Sequence, residues 1–227
     1  MPCKTRIFAT SAARYIKSMN DLKLKEILSQ SPSISSERRL ILDEVINALN
    51  ALAKTHKHLN LNFICTHNSR RSQLAQVWAH AIAQHLEIPV KAFSGGVEVT
   101  AFNPRAVSAL MDQGFTIHPL KDNNPNKTES DNTVYRVFSA PEDAGISCFS
   151  KLYDDPTNPQ KGFIAMMTCD HADENCPFIP GALARLSLRY EDPKAFDDTP
   201  LEALKYRERS LEIAGELHYI MSRLILN

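Results

Sequence analysis

The chain has 227 residues, of which 43% are hydrophobic and 23% are charged, and its 26 basic residues balance its 26 acidic ones. This composition is typical of a soluble globular protein with one large domain, or with one domain and an appendage. The zero net charge argues against nucleic acid or a membrane surface as a main partner, and no apolar run is long enough to span a bilayer.

The cysteine content indicates a reducing compartment. The number of cysteines is odd and no secretory signal precedes them, so a disulfide scaffold is not expected and a cytoplasmic location is predicted. The first twenty residues include several basic residues and no acid, which faintly resembles an organelle transit peptide, but a loose basic terminus is the simpler interpretation. The five cysteines are Cys3, Cys65, Cys148, Cys169 and Cys176.

Residues 1–58 are predicted to form a helical extension without a chemical motif. Residues 21–28 have the apolar spacing of a short helix, and Pro32 interrupts the pattern. A second helix follows, capped by Ser35 or Ser36, because a serine oxygen accepts from the early N–H groups of a helix. We expect these helices to provide a packing or dimerisation surface, and a homodimer through them is one prediction.

From residue 59 onward, β-like and helical patterns alternate, which predicts a catalytic domain over residues 59–227. Alternating strands and helices form a mostly parallel sheet with helices on both faces. Ligands bind such sheets at the carboxyl ends of the strands. The predicted strands are 59–64, 90–94, 163–168 and 186–190, and the predicted helices are 73–86, 103–111 and about 200–224.

The segment of about 115–160 is long for a connection, and we interpret it as an insertion. Residues 134–139 and 147–152 are β-like, and a turn rich in proline, acidic residues and glycine joins them. This pattern is typical of a β-hairpin. The hairpin is expected either to alter access to a site or to widen the sheet.

The run from Cys65 to Ser72 is the most informative stretch, because it lies between a predicted strand and a predicted helix. The first N–H groups of a helix have no partner inside it, so this position binds anions. A cysteine there readily becomes a thiolate nucleophile, and Arg71 can hold two oxygens of a tetrahedral oxyanion. Ser72 is expected to hydrogen-bond the thiolate of Cys65. The run therefore predicts an enzyme that acts on phosphate or on a compound of similar shape.

The residues inside this loop complete the predicted oxyanion site. We expect Asn68 to hold the backbone shape of the loop, since asparagine tolerates left-handed dihedral angles. Arg70 is expected to face solvent. The predicted oxyanion-binding loop consists of Thr66, His67, Asn68, Ser69 and Arg70.

Asp192 is the predicted general acid. An oxygen displaced from phosphorus or arsenic is a poor leaving group unless a nearby carboxylic acid protonates it. Asp192 and Pro193 follow the last predicted strand, which brings the carboxyl group to the sheet edge that holds Cys65. A solvated turn is the alternative interpretation of this dipeptide.

A second group of cysteines, Cys169 and Cys176, follows the predicted strand 163–168. A phosphatase needs only Cys65, whereas a reductase would use all three thiols. Cys169 would attack the sulfur of Cys65 and release the reduced oxyanion, and Cys176 would then attack Cys169 and free Cys65. The resulting disulfide would be reduced by an external thiol.

The spacing of Cys169 and Cys176 constrains this relay. In a helix the two residues would be about 10 Å apart, whereas a disulfide needs Cα atoms within about 4.4–6.8 Å. A helical segment must therefore unwind as the disulfide forms. A zinc site is the weaker alternative, because Cys169, His171 and Cys176 are irregularly spaced and have no evident fourth ligand.

These three motifs resemble those of a known family. The run Cys65–Gln73 is similar to the phosphate loop of low-molecular-weight protein tyrosine phosphatases, and closer still to that of thioredoxin-coupled arsenate reductases built on the same fold. Cys169–Pro177 resembles the redox segment of those reductases, and Asp192 with Pro193 resembles their general-acid loop. The resemblance covers about residues 59–225 without the insertion.

The resemblance implies a flavodoxin-like α/β fold with a mostly parallel four-stranded sheet. It also implies reduction of arsenate to arsenite with thioredoxin as the electron donor. No cofactor is required, although some members of the reductase family bind potassium near the loop. The N-terminal extension and the hairpin insertion are departures from the small family core.

Two other hypotheses remain open. The first is a phosphatase of the same fold, in which Cys169 protects Cys65 from over-oxidation. Tyrosine phosphatases of this group usually have aromatic residues after the Asp-Pro pair, whereas Lys194 and Ala195 follow here, which disfavours phosphotyrosine. The second is a non-enzymatic oxyanion sensor, which would need neither a nucleophile nor the acid Asp192.

Overall fold

The computed structural model describes residues 22–30, 33–120, 132–175 and 178–226. The predicted loose terminus with Cys3, the polar middle of the insertion and Cys176 lie outside the described residues. The helices are α1 (22–29), α2 (Ser36–Ala53), α3 (Arg71–His85), α4 (Pro104–Asp112), α5 (Asp170–Asn175) and α6 (Glu202–Met221). The strands are β1 (Leu59–Cys65), β2 (Val90–Gly96), β3 (Thr116–Pro119), β4 (Tyr135–Phe138), β5 (Ile146–Cys148), β6 (Phe163–Met167) and β7 (Ala182–Ser187).

Four strands form one parallel sheet in the order β2-β1-β6-β7. This arrangement confirms the predicted flavodoxin-like α/β fold. Strand β1 lies in the interior of the sheet, so nearly all of its residues are buried. Its last residue, Cys65, is in register with Gly96 at the end of β2. The predicted nucleophile therefore lies at the carboxyl edge of the sheet, where ligands of such folds bind.

The two faces of the sheet are covered unequally. On one face, α3 and α6 pack with α1, α2 and α4 in the main hydrophobic core, where Trp78 is fully buried. On the other face, a smaller cluster contains Met167, Cys169 and Ala172 at the short helix α5. The predicted redox segment therefore lies on the more thinly covered face. None of the described helices is long and apolar enough to cross a membrane.

The N-terminal helix α2 is part of the main core. The hydroxyl of Ser35 caps the helix by accepting a hydrogen bond from the N–H of Arg38 at 3.2 Å. Leu42 and Leu49 on its inner side are fully buried, and the helix packs against α6. The apolar side of α2 is thus covered within the chain itself, and the homodimer through these helices stays a prediction.

The predicted hairpin forms as β4 and β5, and β3 extends it to a three-stranded antiparallel sheet. Strand β3 was not predicted, because its four residues are too few to show a strand pattern. Strand β5 ends earlier than predicted, since the chain then turns to β2. There the N–H of Gly96 donates to the carbonyl of Lys151 at 2.8 Å. The insertion thereby reaches the carboxyl edge of the parallel sheet.

The last parallel strand differs from the prediction, because β7 covers 182–187 and not 186–190. The backbone N–H groups of Leu188 and Tyr190 still donate to residues at the end of β6. Arginine side chains, however, bind the carbonyl groups of Arg189 and Tyr190. Side chains from distant parts of the chain thus bind the backbone that follows β7.

Candidate active site

The nucleophile loop joins β1 to α3 and has the predicted left-handed residue, Asn68, with φ of +47°. The side chain of Asn68 donates to the hydroxyl oxygen of Ser72 at 2.8 Å, and that hydroxyl lies 3.0 Å from the sulfur of Cys65. Because the Ser72 oxygen accepts from Asn68, its own proton is free to point at the sulfur. The chain of contacts from Asn68 through Ser72 is therefore arranged to stabilise a thiolate at Cys65.

Gln73 and Ser150, which the sequence did not single out, hold the backbone of the nucleophile loop in place. The amide of Gln73 donates to the backbone carbonyl of Asn68 at 3.1 Å and to that of Phe149 at 2.7 Å. The hydroxyl of Ser150 donates to the carbonyl of His67 at 2.8 Å. The residues of the insertion that follow β5 thus stabilise the nucleophile loop through these hydrogen bonds. No local motif signals these partners, since they meet only in the folded chain.

Gly96 permits the close approach of β2 to the loop. A Cβ atom at this position would lie 2.7 Å from the carbonyl oxygen of Thr66 and 2.8 Å from the backbone nitrogen of Asn68. Neither atom is the mobile end of a side chain, so any larger residue would displace the loop. The same carbonyl of Thr66 accepts hydrogen bonds from the N–H groups of Val97 and Glu98, both at 2.9 Å.

Arg71 and Asp192 are brought together across the mouth of the loop. Nη2 of Arg71 donates to Asp192 Oδ2 at 2.8 Å, and Nη1 donates to the carbonyl of Tyr190 at 3.0 Å. Within the described part of the chain, the buried Nε of Arg71 has no hydrogen-bond partner. The guanidinium group therefore has a buried donor without a partner, beside a thiol and at the start of a helix.

Arg70 does not face solvent, so that prediction was wrong. Its side chain is only 11% exposed, and its Nε donates to Asp192 Oδ1 at 2.8 Å. The segment with Asp192, which follows β7, lies over Arg70 and covers it. A small cavity at this point is lined by Cys65, His67, Ser69, Arg70, Arg71 and Asp192.

Two arginines determine the protonation of Asp192. Burial by itself would raise the pKa of this carboxyl group, but the charge of Arg71 and the hydrogen bond from Arg70 hold the pKa below its usual value. Asp192 is therefore a carboxylate at neutral pH in this structure. It takes up a proton more readily once its arginine partners have been drawn away.

Cys169 follows β6 and lies beside the nucleophile loop. It is 1% exposed, and its sulfur is 3.5 Å from the hydroxyl oxygen of Thr66, the residue after Cys65. The N–H of Ala172 in α5 points to the same sulfur at 3.4 Å. Both Cys65 and Cys169 are free thiols. The structure thus brings two of the three predicted relay cysteines to one sheet edge, and Cys176 lies outside the described residues.

The helix α5 that follows Cys169 is anchored mainly by Asp173. The carboxylate of Asp173 is almost fully buried, and it forms ion pairs at 2.5 Å with both Arg185 and Arg189. It also accepts a hydrogen bond from the hydroxyl of Ser187 at 2.7 Å. The segment is therefore helical up to Asn175 and attached to β7 and the residues after it. Among the described residues, no group of three or more His, Cys, Asp or Glu side chains could hold a metal ion.

Comparison with known proteins gives relatives that are named arsenate reductases. The chain is 29% identical over 131 residues to arsenate reductase 2 of Staphylococcus epidermidis, which covers 58% of this chain and 76% of the relative. It is 26% identical over 154 residues to the arsenate reductase of Bacillus licheniformis, which covers 68% of this chain and 88% of the relative. No family model matches the chain.

Solved structures that are similar to the chain include a phosphatase and a reductase. A low-molecular-weight protein tyrosine phosphatase from T. tengcongensis is 18% identical, with a TM-score of 0.47 over 73% of this chain and 99% of that one. A thioredoxin-dependent arsenate reductase from Corynebacterium glutamicum is 17% identical, with a TM-score of 0.41 over 96% of this chain and 88% of that one.

Proposed function

We propose that this protein reduces arsenate to arsenite through a relay of Cys65, Cys169 and Cys176, with a thioredoxin-like dithiol as the final reductant. The observation that carries the proposal is the position of Cys169, whose buried free thiol lies 3.5 Å from the hydroxyl of Thr66, the residue next to Cys65. A hydrolase has no need of a second thiol there. The sequence relatives named as arsenate reductases support the same activity.

In the first step, the thiolate of Cys65 attacks arsenate and forms a sulfur–arsenic bond. The oxyanion binds the N–H groups of the loop and the guanidinium of Arg71, including its unpartnered Nε. Because the negative substrate competes for Arg70 and Arg71, it weakens their hold on Asp192 and raises the pKa of that carboxyl group. Asp192 then supplies the proton with which one arsenate oxygen leaves as water, and arsenic remains As(V).

In the second step, the thiolate of Cys169 attacks the sulfur of Cys65. A disulfide forms, the sulfur–arsenic bond breaks, and its electron pair stays on arsenic, which is thereby reduced to As(III) and released as arsenite. In the third step, Cys176 attacks the sulfur of Cys169 and frees Cys65 as a thiolate.

The third step requires a conformational change. Helical geometry across α5 would hold the Cα atoms of Cys169 and Cys176 about 10 Å apart, beyond the roughly 4.4–6.8 Å that a disulfide allows. The helix must unwind, and Asp173, whose ion pairs hold the helix, lies within it. The external dithiol then reduces the disulfide between Cys169 and Cys176. We also propose a reducing compartment such as the cytoplasm, since the relay needs free thiols.

The relay itself uses no prosthetic group. Potassium near the loop stays a prediction from the family resemblance, and no ligands for it are assigned in this chain.

Thioredoxin-coupled oxidation of NADPH with arsenate, measured beside aryl phosphate hydrolysis on the same sample, tests the proposal. We expect arsenate-dependent oxidation in the parent protein. In Cys176→Ser, multiple-turnover reduction should be lost while hydrolysis remains, and Cys3→Ser serves as the matched control. Undiminished arsenate turnover in Cys176→Ser would rule out the three-cysteine relay.

A phosphatase is the second candidate, favoured by the contact of Asp192 with the arginines of the nucleophile loop. The cavity at Cys65 has no Phe, Tyr or Trp side chain among its described lining residues, which disfavours an aromatic phosphoester. Brisk hydrolysis together with NADPH traces that do not respond to arsenate would favour this alternative.

A further inference from the structure

Arg38 of the N-terminal helix α2 connects three elements that are far apart in the chain. Its Nε and Nη2 each lie 2.7 Å from a carboxylate oxygen of Glu216 in α6, a bidentate ion pair. Nη2 also donates to the backbone carbonyl of Arg189 at 3.0 Å, and the guanidinium carbon lies 5.2 Å from the centre of the Tyr190 ring. Arg38 thus holds both backbone and side chain of the segment that follows β7.

Tyr190 contacts the proposed active site, and Arg189 contacts helix α5. The carbonyl of Tyr190 accepts a hydrogen bond from Nη1 of Arg71 at 3.0 Å. The side chain of Arg189 pairs with Asp173 at 2.5 Å in the helix that follows Cys169. Arg38 therefore anchors the backbone one residue before the carbonyl that orients Arg71.

We infer that Arg38 is a positioning residue for oxyanion binding, and that it acts through the backbone of Arg189 and Tyr190 on the guanidinium of Arg71. The N-terminal extension thereby completes the anion site of the parallel-sheet core. The inference rests on the proposed function as far as the identity of the oxyanion is concerned.

The geometry explains why an arginine is needed. Its planar fork binds the carboxylate of Glu216 with two nitrogens and still has a hydrogen on Nη2 for the carbonyl of Arg189. A lysine retains the positive charge beside Glu216 and over the ring of Tyr190, but it is a single point charge and cannot keep all three contacts. Without the bond to Arg189, the carbonyl of Tyr190 is no longer held in place for Arg71.

Two substitutions separate positioning from simple stabilisation. Arg38→Lys keeps the ion pair and loses the carbonyl contact, so we expect the KM for arsenate to rise about tenfold, as for a loss of one charge-assisted hydrogen bond. The kcat should change by less than about threefold, since the chemistry at Cys65 is untouched once substrate is bound. Glu216→Gln weakens the ion pair but keeps Arg38 in contact with Arg189, so the protein should lose stability with KM within about twofold.

A second readout does not depend on arsenate reduction. Inorganic phosphate should protect Cys65 from alkylation by iodoacetamide, as measured by mass spectrometry of the peptide that contains Cys65. Arg38→Lys should need about tenfold more phosphate for half-protection, and Arg39→Lys, on the exposed side of the same helix, should behave as the parent protein does.

These measurements test the proposed arsenate reduction and the positioning role of Arg38 separately. If the parent protein is protected by phosphate but does not reduce arsenate, the proposed function fails, and the shift in Arg38→Lys still supports the positioning role. If Arg38→Lys matches the parent protein in both KM and half-protection, or if Glu216→Gln raises KM as much as Arg38→Lys does, Arg38 only joins α2 to α6 and the inference is overturned.

Discussion

The nucleophile loop and the redox segment lie side by side at one sheet edge, but they are held in different ways. The loop is fixed by buried, neutral hydrogen bonds around Asn68, Ser72 and Gln73, all of which are fully buried. The six-residue helix α5 depends mainly on one buried carboxylate, Asp173, whose arginine partners reach it from the surface. A preformed loop suits binding, whereas a short helix held mainly through one side chain suits a step that requires unwinding.

The largest expected effect separates the two regions by their cysteines. Cys65→Ser should abolish both arsenate reduction and aryl phosphate hydrolysis, because both need the thiolate of the loop. Cys169→Ser should abolish reduction and spare hydrolysis, because only the relay uses the second sulfur. Steady-state rates of arsenate reduction and of aryl phosphate hydrolysis in both variants measure this difference. Equal loss of hydrolysis in the two variants would mean that Cys169 also serves the first step.

The next effect tests whether the loop is preformed by its buried network. Asn68→Ala removes the donor to Ser72 and the acceptor for Lys151, so the free energy of unfolding should fall by about 1–3 kcal/mol. Misplacement of the loop should lower kcat/KM roughly ten- to a hundredfold for both reactions. Urea unfolding and initial rates measure the two effects. Asn60→Ala, which loses only one long contact in the same strand region, is the control.

A smaller effect is expected in the redox segment. Asp173→Asn keeps the shape of the side chain but removes the charge that pairs with Arg185 and Arg189, so α5 should unwind more easily. The disulfide between Cys169 and Cys176 should form a few-fold faster in a single turnover, while hydrolysis of an aryl phosphate stays the same. Quenched samples analysed by mass spectrometry give this rate.

Asp170→Asn is the matched control for the redox segment, since Asp170 is 70% exposed and, among the described residues, forms its ion pair with Arg189 alone. If Asp173→Asn slowed the disulfide step, the ion pairs would guide the segment toward closure, and the contrast between a rigid loop and a releasable helix would be wrong.

The smallest effect concerns the carboxylate that spans the mouth of the loop. Arg71 and Arg70 lower the pKa of Asp192 in the folded protein, so the ion pairs stabilise the fold above the unfolded pKa of the group. This stability is lost as pH falls through the lowered folded pKa. Asp192→Asn should therefore destabilise the protein at neutral pH by no more than about 1 kcal/mol, because the group is partly exposed.

In acid, the difference in stability between the parent protein and Asp192→Asn should disappear. Urea unfolding at neutral pH and again in acid measures it, and the gap between parent and Asp192→Asn should shrink on acidification. A gap that widens in acid would show that Asp192 is not a carboxylate in the folded state, and that the arginines do not control it.

Much of the nucleophile loop followed from local sequence. An apolar strand, a short loop and a helix in that order bring Cys65 to the edge of a sheet, and asparagine at position 68 suits a left-handed backbone. The capping of α2 by Ser35 and the hairpin of β4 and β5 were predictable for the same reason. Each depends on neighbours along the chain, whose conformations residue type and spacing determine.

The sequence by itself therefore determined the alternation of strands and helices, the parallel α/β fold and the position of Cys65 and Cys169 at one edge. Only the tertiary structure decided which side chains meet there: Arg70 with Asp192, Gln73 with Phe149, and Arg38 with the backbone before Tyr190. It also set the position of β7, since β6 pairs with 182–187 and not with 186–190. The reason is physical: long charged and amide side chains choose partners by distance in the folded chain, and no local pattern encodes that distance.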